Sequence, residues 1–205
     1  MYEKITLPDA IRRSCLTTRF AGEEILGHRM TIAEHHYEVA TYVMYVIDCL
    51  NKDNPELISD AAALASIRLA LVHDMPEIIT GDIPTPAKYA IERFKTVLDE
   101  LEEMVITTVM PDHVAEQFAL VDASNDNVVA NIVVKCADIM AVTREIVDER
   151  QRGNNIGQGM KFVNEAITRL SKKYDIGGDG ASTFEADVLG GCCRIIDNFI
   201  GQVYI

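Results

Sequence analysis

Four side chains with the chemistry of metal ligands occupy apolar surroundings in this 205-residue sequence. His35 keeps helical register with the apolar residues around it, which turns its imidazole toward the core, whereas His36 points about 100° away. His73 and Asp74 end one apolar run, and Asp138 interrupts another. Burying a polar group without a partner costs about 1–3 kcal/mol, and an isolated carboxylate costs more. A shared cation would remove this cost.

Two imidazoles and two carboxylates suit one divalent metal ion, with Co, Mn, Zn, Fe, Ni and Mg as the candidates. Six-coordination would leave positions for water and for a phosphate oxygen, so the set predicts hydrolysis of a phosphate ester. Each part of the set is a weaker indication by itself, because a His-Asp pair occurs by chance in many proteins and a buried aspartate can pair with an arginine. The prediction depends on the combination.

Two further acidic residues follow the His-Asp pair. Glu77 comes four residues after His73 and lies one turn beyond it on the same face if the helix continues. There it could orient or deprotonate the attacking water or protonate the leaving oxygen, whereas without a metal site it would be a surface glutamate near a helix end. Asp82 could hydrogen-bond a substrate hydroxyl or simply cap a turn, and both readings stay open.

The elements that must position these residues are helical, and strands are hard to find. Thr31 is available as an N-cap for the first helix, and the second helix is apolar enough to lie in the interior. Prolines and a glycine make Thr80–Pro86 a rigid loop. We therefore expect an all-α chain that forms a single domain over residues 1–205. The predicted helices cover residues 32–50, 61–73, 87–109, 126–150, 160–173 and 184–199.

Charge and composition limit the partners and the compartment. The chain has 19 basic and 32 acidic residues, a net charge of −13 that repels nucleic acid polymers and anionic membranes. Every apolar segment long enough to span a bilayer is interrupted by charge, and the five cysteines show no disulfide or zinc spacing. We expect a cytoplasmic protein with reduced thiols. The apolar stripe of the predicted helix 87–109 favours a homo-oligomer, with burial of the same stripe in the core of the chain as the alternative.

Three short motifs resemble those of a known superfamily. They are Ala33-Glu-His-His36, then His73-Asp-Met-Pro-Glu-Ile-Ile-Thr-Gly-Asp-Ile-Pro-Thr-Pro86, then Lys135-Cys-Ala-Asp138. Together they resemble the HD-domain phosphohydrolases, specifically the bacterial 5′-deoxynucleotidase branch. The central block is the most specific, and the resemblance runs from about residue 19 to residue 150, with helices 160–205 packed on that core.

The resemblance implies an HD-domain helical bundle and assigns roles within it. Glu77 corresponds to the catalytic glutamate, and Asp82 to a second acidic residue beside the substrate. Two-metal members place extra histidines before the last aspartate, but His113 is the only one in that interval here, which favours one metal ion. The implied metal ligands are His35, His73, Asp74 and Asp138.

The same resemblance points to a substrate site. Arg19-Phe20 stands where that branch has Arg-Trp, so Arg19 suits phosphate and Phe20 offers a stacking surface without the indole donor. Related phage enzymes remove triphosphate from dATP, and Lys88, Lys135 and Lys161 are candidates for contacts to a longer phosphate chain. A deoxynucleoside monophosphate and a triphosphate both remain open. A nucleotide-binding regulator without turnover and a hydrolase of another small phosphate ester are the alternatives.

Overall fold

A computed structural model describes residues 3–88, 91–122, 125–154, 159–173 and 183–203 of the chain. These residues form helices and contain no strand beyond an isolated bridge between Thr18 and Thr31, which confirms the all-α prediction. The helices are α1 (Leu7–Ser14), α2 (Ile32–Asp53), α3 (Asp60–Ala70), α4 (Glu77–Thr80), α5 (Thr85–Lys88), α6 (Glu92–Met104), α7 (Asp112–Asp122), α8 (Asn125–Gln151), α9 (Met160–Lys173) and α10 (Thr183–Val203).

The core is formed by α2, α3, α8 and α10, which pack against one another, and α9 packs on α8. Thr31 caps α2 as predicted, and its side chain and that of Glu34 form a reciprocal capping box. The longest helix, α8, is buried around much of its circumference, so it touches each of the other core helices. In the described part of the chain, no helix is both long enough and apolar enough to cross a membrane.

The predicted helix 61–73 is shorter in the structure. It ends at Ala70, and His73 and Asp74 lie in the turn that joins α3 to α4. After Ala70 the N–H groups of Val72 and Met75 donate to carbonyls three residues back, so the helix gives way to tight turns. Pro76 keeps α3 from continuing into α4, because proline has no N–H to donate to the carbonyl of Val72. The segment is also less buried than expected, since Leu64 and Leu71 are exposed.

The region after the His-Asp pair also differs from its prediction. The loop ends at Pro84, and Thr85 and Pro86 already belong to the single turn of α5. The predicted helix 87–109 is divided, because Ile91 has extended backbone before α6 and a π-helical segment, Val105–Val109, follows it. Three helices, α1, α4 and α7, were not predicted. The start of α1 carries the usual signals, a Thr6 cap followed by a proline in its first turn.

Two adjacent glycines in α10 offer a matched test of the packing of α10 on α2. A Cβ on Gly191 would lie 2.3 Å from Cδ2 of buried Leu50, whereas a Cβ on Gly190 would meet only Nη1 of Arg194 at 3.6 Å. Alanine improves helix propensity by about 1 kcal/mol at either position. Overpacking against Leu50 costs about 1–3 kcal/mol.

We therefore expect Gly191→Ala to have a lower free energy of unfolding than Gly190→Ala, by about 1–3 kcal/mol. Denaturant unfolding followed by circular dichroism measures the difference. Equal unfolding midpoints for the two variants would contradict the close packing of α10 on α2.

Candidate metal centre

The structure brings His35, His73, Asp74 and Asp138 together from three parts of the bundle. His35 lies near the start of α2, His73 and Asp74 in the turn after α3, and Asp138 within α8. His35 Nε2 is 3.4 Å from Asp74 Oδ2 and 3.4 Å from Asp138 Oδ1, and His73 Nε2 is 3.5 Å from Asp74 Oδ2. Ligand atoms of His35, His73 and Asp138 all lie within 4.8 Å of one another.

These donor atoms converge without satisfying one another. Nε2 of His35 and Nε2 of His73 are buried and have no hydrogen-bond partner in the structure. Two ligands bound at about 2.0–2.2 Å from one ion, at tetrahedral or right angles, lie about 2.8–3.6 Å apart. The three separations given above fall in this range, so the donor atoms are compatible with one shared metal ion.

The turn between α3 and α4 orients His73. Its Nδ1 donates to the carbonyl oxygen of Ala70 at 2.9 Å, which leaves the Nε2 lone pair facing the centre. His36 supports the same turn, although its register turns it away from His35. It is buried, burial lowers its pKa to about 3, and its neutral Nε2 accepts the backbone N–H of Asp74 at 3.3 Å. Helical periodicity predicted that His35 and His36 point in different directions, but it did not indicate the contact between His36 and Asp74.

The two carboxylates of this centre are held in the ionised form that a metal ion requires of its ligands. Burial acts to raise the pKa of Asp74, but His73, His35 and Arg19 outweigh it and hold this pKa well below its usual range. Burial likewise acts to raise the pKa of Asp138, but Lys135 and His35 outweigh it and hold this pKa well below its usual range. Burial acts to lower the pKa of His35, yet the two carboxylates raise it to about 9.

Glu77 stands beside this centre at the start of α4. Because α3 ends at Ala70, Glu77 does not lie on a continuation of that helix. The turn between α3 and α4, and not helical spacing, determines its position. Its Oε1 accepts from Lys88 Nζ at 3.1 Å, and its Oε2 is buried without a hydrogen-bond partner. Burial, with repulsion from Asp74, raises its pKa to about 8 despite Lys88. A carboxyl group with this pKa can accept or donate a proton near neutral pH.

Arg19 and Phe20 lie on the loop that leads into α2. Nη1 of Arg19 donates to Asp74 Oδ2 at 3.0 Å. Phe20 has a positive φ of 54°, and Arg29 holds this backbone by donating to the carbonyl oxygens of Arg19 and Phe20. Asp82 Oδ2 accepts the N–H of Ala21 at 3.1 Å, so Asp82 fixes the same loop.

A cavity of about 220 Å³ opens beside these residues. Arg19, Phe20, Glu77, Asp82, Lys88 and Lys135 all line it, but exposed Lys161 does not. Lys135 also donates to Asp138. The apolar wall of this cavity was not predicted from the sequence. The helical spacing of the apolar residues that follow Asp138 in α8 could have indicated it. This wall comprises Ile139, Val142, Ile146, Phe162, Val163 and Ala166, with Arg169 beside it.

Residues 10–174 match the family described as 5′-deoxynucleotidase YfbR-like. The chain belongs to this family. Among curated relatives of the YfbR-like family, a 5′-deoxynucleotidase of Photorhabdus laumondii is 28% identical over 145 residues, 69% of each chain. The 5′-deoxynucleotidase YfbR of Salmonella paratyphi B is 29% identical over 150 residues, 71% of this chain and 70% of that one. The resemblance drawn from the three motifs is confirmed.

Solved structures confirm the HD-domain helical bundle. The HD phosphohydrolase DatZ of cyanophage S-2L, bound to dA and one catalytic Zn²⁺ ion, superposes with a TM-score of 0.65 at 19% identity. The superposition covers 95% of this chain and 99% of DatZ. An HD-domain phosphohydrolase of Listeria innocua gives a TM-score of 0.62 at 21% identity, over 96% of this YfbR-like chain and 95% of that one.

The adjacent histidines give a matched test of the metal centre. Glutamine at position 35 removes an imidazole from the point of convergence, whereas glutamine at position 36 keeps an acceptor for the N–H of Asp74. We expect His35→Gln to lower Zn²⁺ or Mn²⁺ affinity by about 100-fold or more, and His36→Gln by about tenfold or less. Titration of the metal-free protein against a chromophoric chelator measures both. Equal losses would contradict the assignment of His35 over His36.

Proposed function

We propose that the chain is a metal-dependent 5′-deoxynucleotidase that cleaves a deoxynucleoside monophosphate into a deoxynucleoside and inorganic phosphate. The observation that carries this proposal is the convergence of two imidazoles on Asp74 and Asp138, beside a cavity that these two carboxylates line together with Glu77 and Arg19. Membership of the YfbR-like family supports the reaction class.

The ion would be held by His35, His73, Asp74 and Asp138. Two imidazoles and two carboxylates accommodate Zn, Mn, Co, Fe, Ni or Mg, and the Zn²⁺ in DatZ supports a single ion. When bound, the ion supplies Lewis acidity that activates water and the phosphate ester. His36 and the Ala70 carbonyl orient the turn that presents two of the ligands.

Glu77 is the proton carrier of the proposed reaction. Water attacks phosphorus, Glu77 accepts a proton from it, the bond between phosphorus and the 5′ oxygen breaks, and the leaving oxygen takes up a proton. The pKa of about 8, raised by burial, suits this two-way role. Lys88 holds Oε1 of Glu77 and keeps the carboxyl group at the cavity wall.

The remaining lining residues support a deoxynucleotide as the substrate. Arg19 faces the cavity with a guanidinium group whose forked donors match phosphate oxygens. Phe20 and the apolar wall of α8 and α9 suit a sugar and a base. Asp82 holds the Phe20 loop through Ala21 and still lines the cavity, where a substrate hydroxyl could share its carboxylate.

The charge of the cavity favours a monophosphate over a triphosphate. Its described lining residues include four cations, Arg19, Lys88, Lys135 and Arg169, and five carboxylates. Lys88 and Lys135 already pair with Glu77 and Asp138. With one divalent ion the lining would carry about one positive charge, which balances a monophosphate better than the roughly fourfold negative charge of a triphosphate.

A substrate panel tests this proposal directly. Ribo- and deoxynucleoside mono-, di- and triphosphates are incubated with Co²⁺, Mn²⁺ or Mg²⁺, and phosphate and triphosphate products are resolved. We expect phosphate and deoxynucleoside from the deoxynucleoside monophosphates. Triphosphate released from a deoxynucleoside triphosphate would overturn the monophosphate choice, and binding without any product would favour a regulator.

Two substitutions separate metal binding from turnover. Asp74→Ala removes a ligand, so we expect loss of both bound metal and hydrolysis. Glu77→Gln removes only the proton carrier, so we expect bound metal to remain while kcat falls about 10²–10⁴-fold. Metal content by elemental analysis and initial rates measure the two effects. Wild-type turnover by either variant would exclude the mechanism.

We further propose that the chain pairs with a second copy through α6. Its main contacts within the chain are with α5 and the π-helical segment. Four apolar side chains on α6, Phe94, Val97, Leu101 and Met104, recur at spacings of three and four and are between 37% and 51% exposed. Residues 92–97 include Arg93 and Lys95, whereas residues 98–104 contain four acidic residues and no basic one. An antiparallel pair would place each acidic half beside the half that carries the cations.

We expect the wild-type protein to be a dimer by size-exclusion chromatography with light scattering. Val97→Asp combined with Leu101→Asp should give a monomer with unchanged helix content, because a charge in the apolar stripe opposes its burial. Tyr37→Asp, at an exposed position on α2, is the control and should remain dimeric. A monomeric wild type, or a dimeric double variant, would refute pairing through α6.

A further inference from the structure

We propose that Glu145 is a positioning residue that fixes the guanidinium group of Arg19 for contact with the substrate phosphate. Glu145 lies on α8 and is absent from the lining of the substrate cavity, so it would act only through Arg19. The phosphate contact rests on the proposed function, but the position of Arg19 does not.

Arg19 is held between two carboxylates. Its Nη1 is 3.0 Å from Asp74 Oδ2, and its Nε is 3.7 Å from Glu145 Oε2. The side chains of Arg19 and Glu145 are only 11% and 12% exposed. A guanidinium group has five N–H donors in a rigid plane, so anchors at Nε and Nη1 fix the plane and leave other donors for a ligand.

Arg19 and Glu145 depend on each other because neither atom of their contact has another partner. Nε of Arg19 and Oε2 of Glu145 are both buried and lack a hydrogen bond in the described structure. A second cavity beside Glu145 is lined by Arg29 and Arg152, but both are engaged elsewhere. Arg29 donates to backbone carbonyls, and Arg152 lies 3.8 Å from Glu149.

The backbone and the side chain of Arg19 are held by different groups. Arg29 donates to the carbonyl oxygen of Arg19, and Asp82 accepts the N–H of Ala21 in the same loop. These contacts place the Cα of Arg19 but leave its long side chain free to rotate. Glu145 restrains the far end of that side chain together with Asp74.

Glu145 also links the arginine to the metal centre. It follows Asp138 by seven residues, two helical turns, so both carboxylates lie on one face of α8. Without Glu145, the only ion pair of Arg19 in the described structure would be with Asp74, a proposed metal ligand. Glu145 thus limits the competition between Arg19 and a bound metal ion for the carboxylate of Asp74.

The test is Glu145→Gln, which keeps the shape of the side chain and removes its charge. The control is Asp148→Asn, which removes one charge from α8 at a residue paired with Arg144. Kinetics of the metal-loaded proteins are measured about one pH unit above the pKa of Glu145, which burial raises to about 7, so that the wild-type carboxylate is ionised. Inorganic phosphate binding is measured by calorimetry as a readout that needs no turnover.

We expect Glu145→Gln to raise KM and weaken phosphate binding about tenfold, with kcat changed less than KM. Glu145→Asp should give a smaller rise, because it keeps the charge on a shorter side chain. Asp148→Asn should change neither. In an Arg19→Ala background, Glu145→Gln should have no further effect on phosphate binding, because its effect passes through Arg19.

Unchanged phosphate binding in both Glu145 variants would overturn the proposal. So would an undiminished effect of Glu145→Gln in the Arg19→Ala background. If Glu145→Gln does not fold, the expected intermediate loss in Glu145→Asp decides the matter. Failure of the wild type to hydrolyse any nucleotide would overturn the proposed function instead, while the phosphate titrations would still test Glu145.

Discussion

The convergence of two carboxylates and two imidazoles on one buried point constrains the whole bundle. The groups come from α2, from the turn after α3 and from α8, so the three elements must hold a fixed relation for the donor atoms to lie 3.4–3.5 Å apart. Each carboxylate would be unfavourable there without opposite charge. The histidines, Arg19 and Lys135 supply that charge, which makes the centre part of the fold as well as a candidate metal site.

The loop before α2 is tied to this centre from several sides. Arg29 and Asp82 bind its backbone near Phe20, and Glu149 accepts the N–H groups of Leu26 and Gly27, each at 2.7 Å. Glu149 lies on the same helix as Asp138. The helix that carries one candidate metal ligand therefore also positions the loop that lines the cavity.

Most core helices and the four candidate metal ligands could be predicted from the sequence, because each is marked by a pattern of neighbouring residues. Helical register separated His35 from His36, and the burial of carboxylates indicated a shared cation. The boundaries near Pro76 and Ile91 were missed, because a turn that is fixed by tertiary contacts leaves little periodicity to read. Glu145 was missed for a related reason: its role depends on Arg19, which is 126 positions away in the chain, and no local pattern joins them.

The backbone conformation of Phe20 lowers the stability of the fold, while its ring lines the cavity. Its φ of 54° is a conformation that glycine adopts readily and that costs an aromatic residue about 1 kcal/mol or more. Glycine would relieve this strain but would remove the ring from the cavity. Selection for heat resistance alone should therefore favour glycine at this position, at the expense of the ring that lines the cavity.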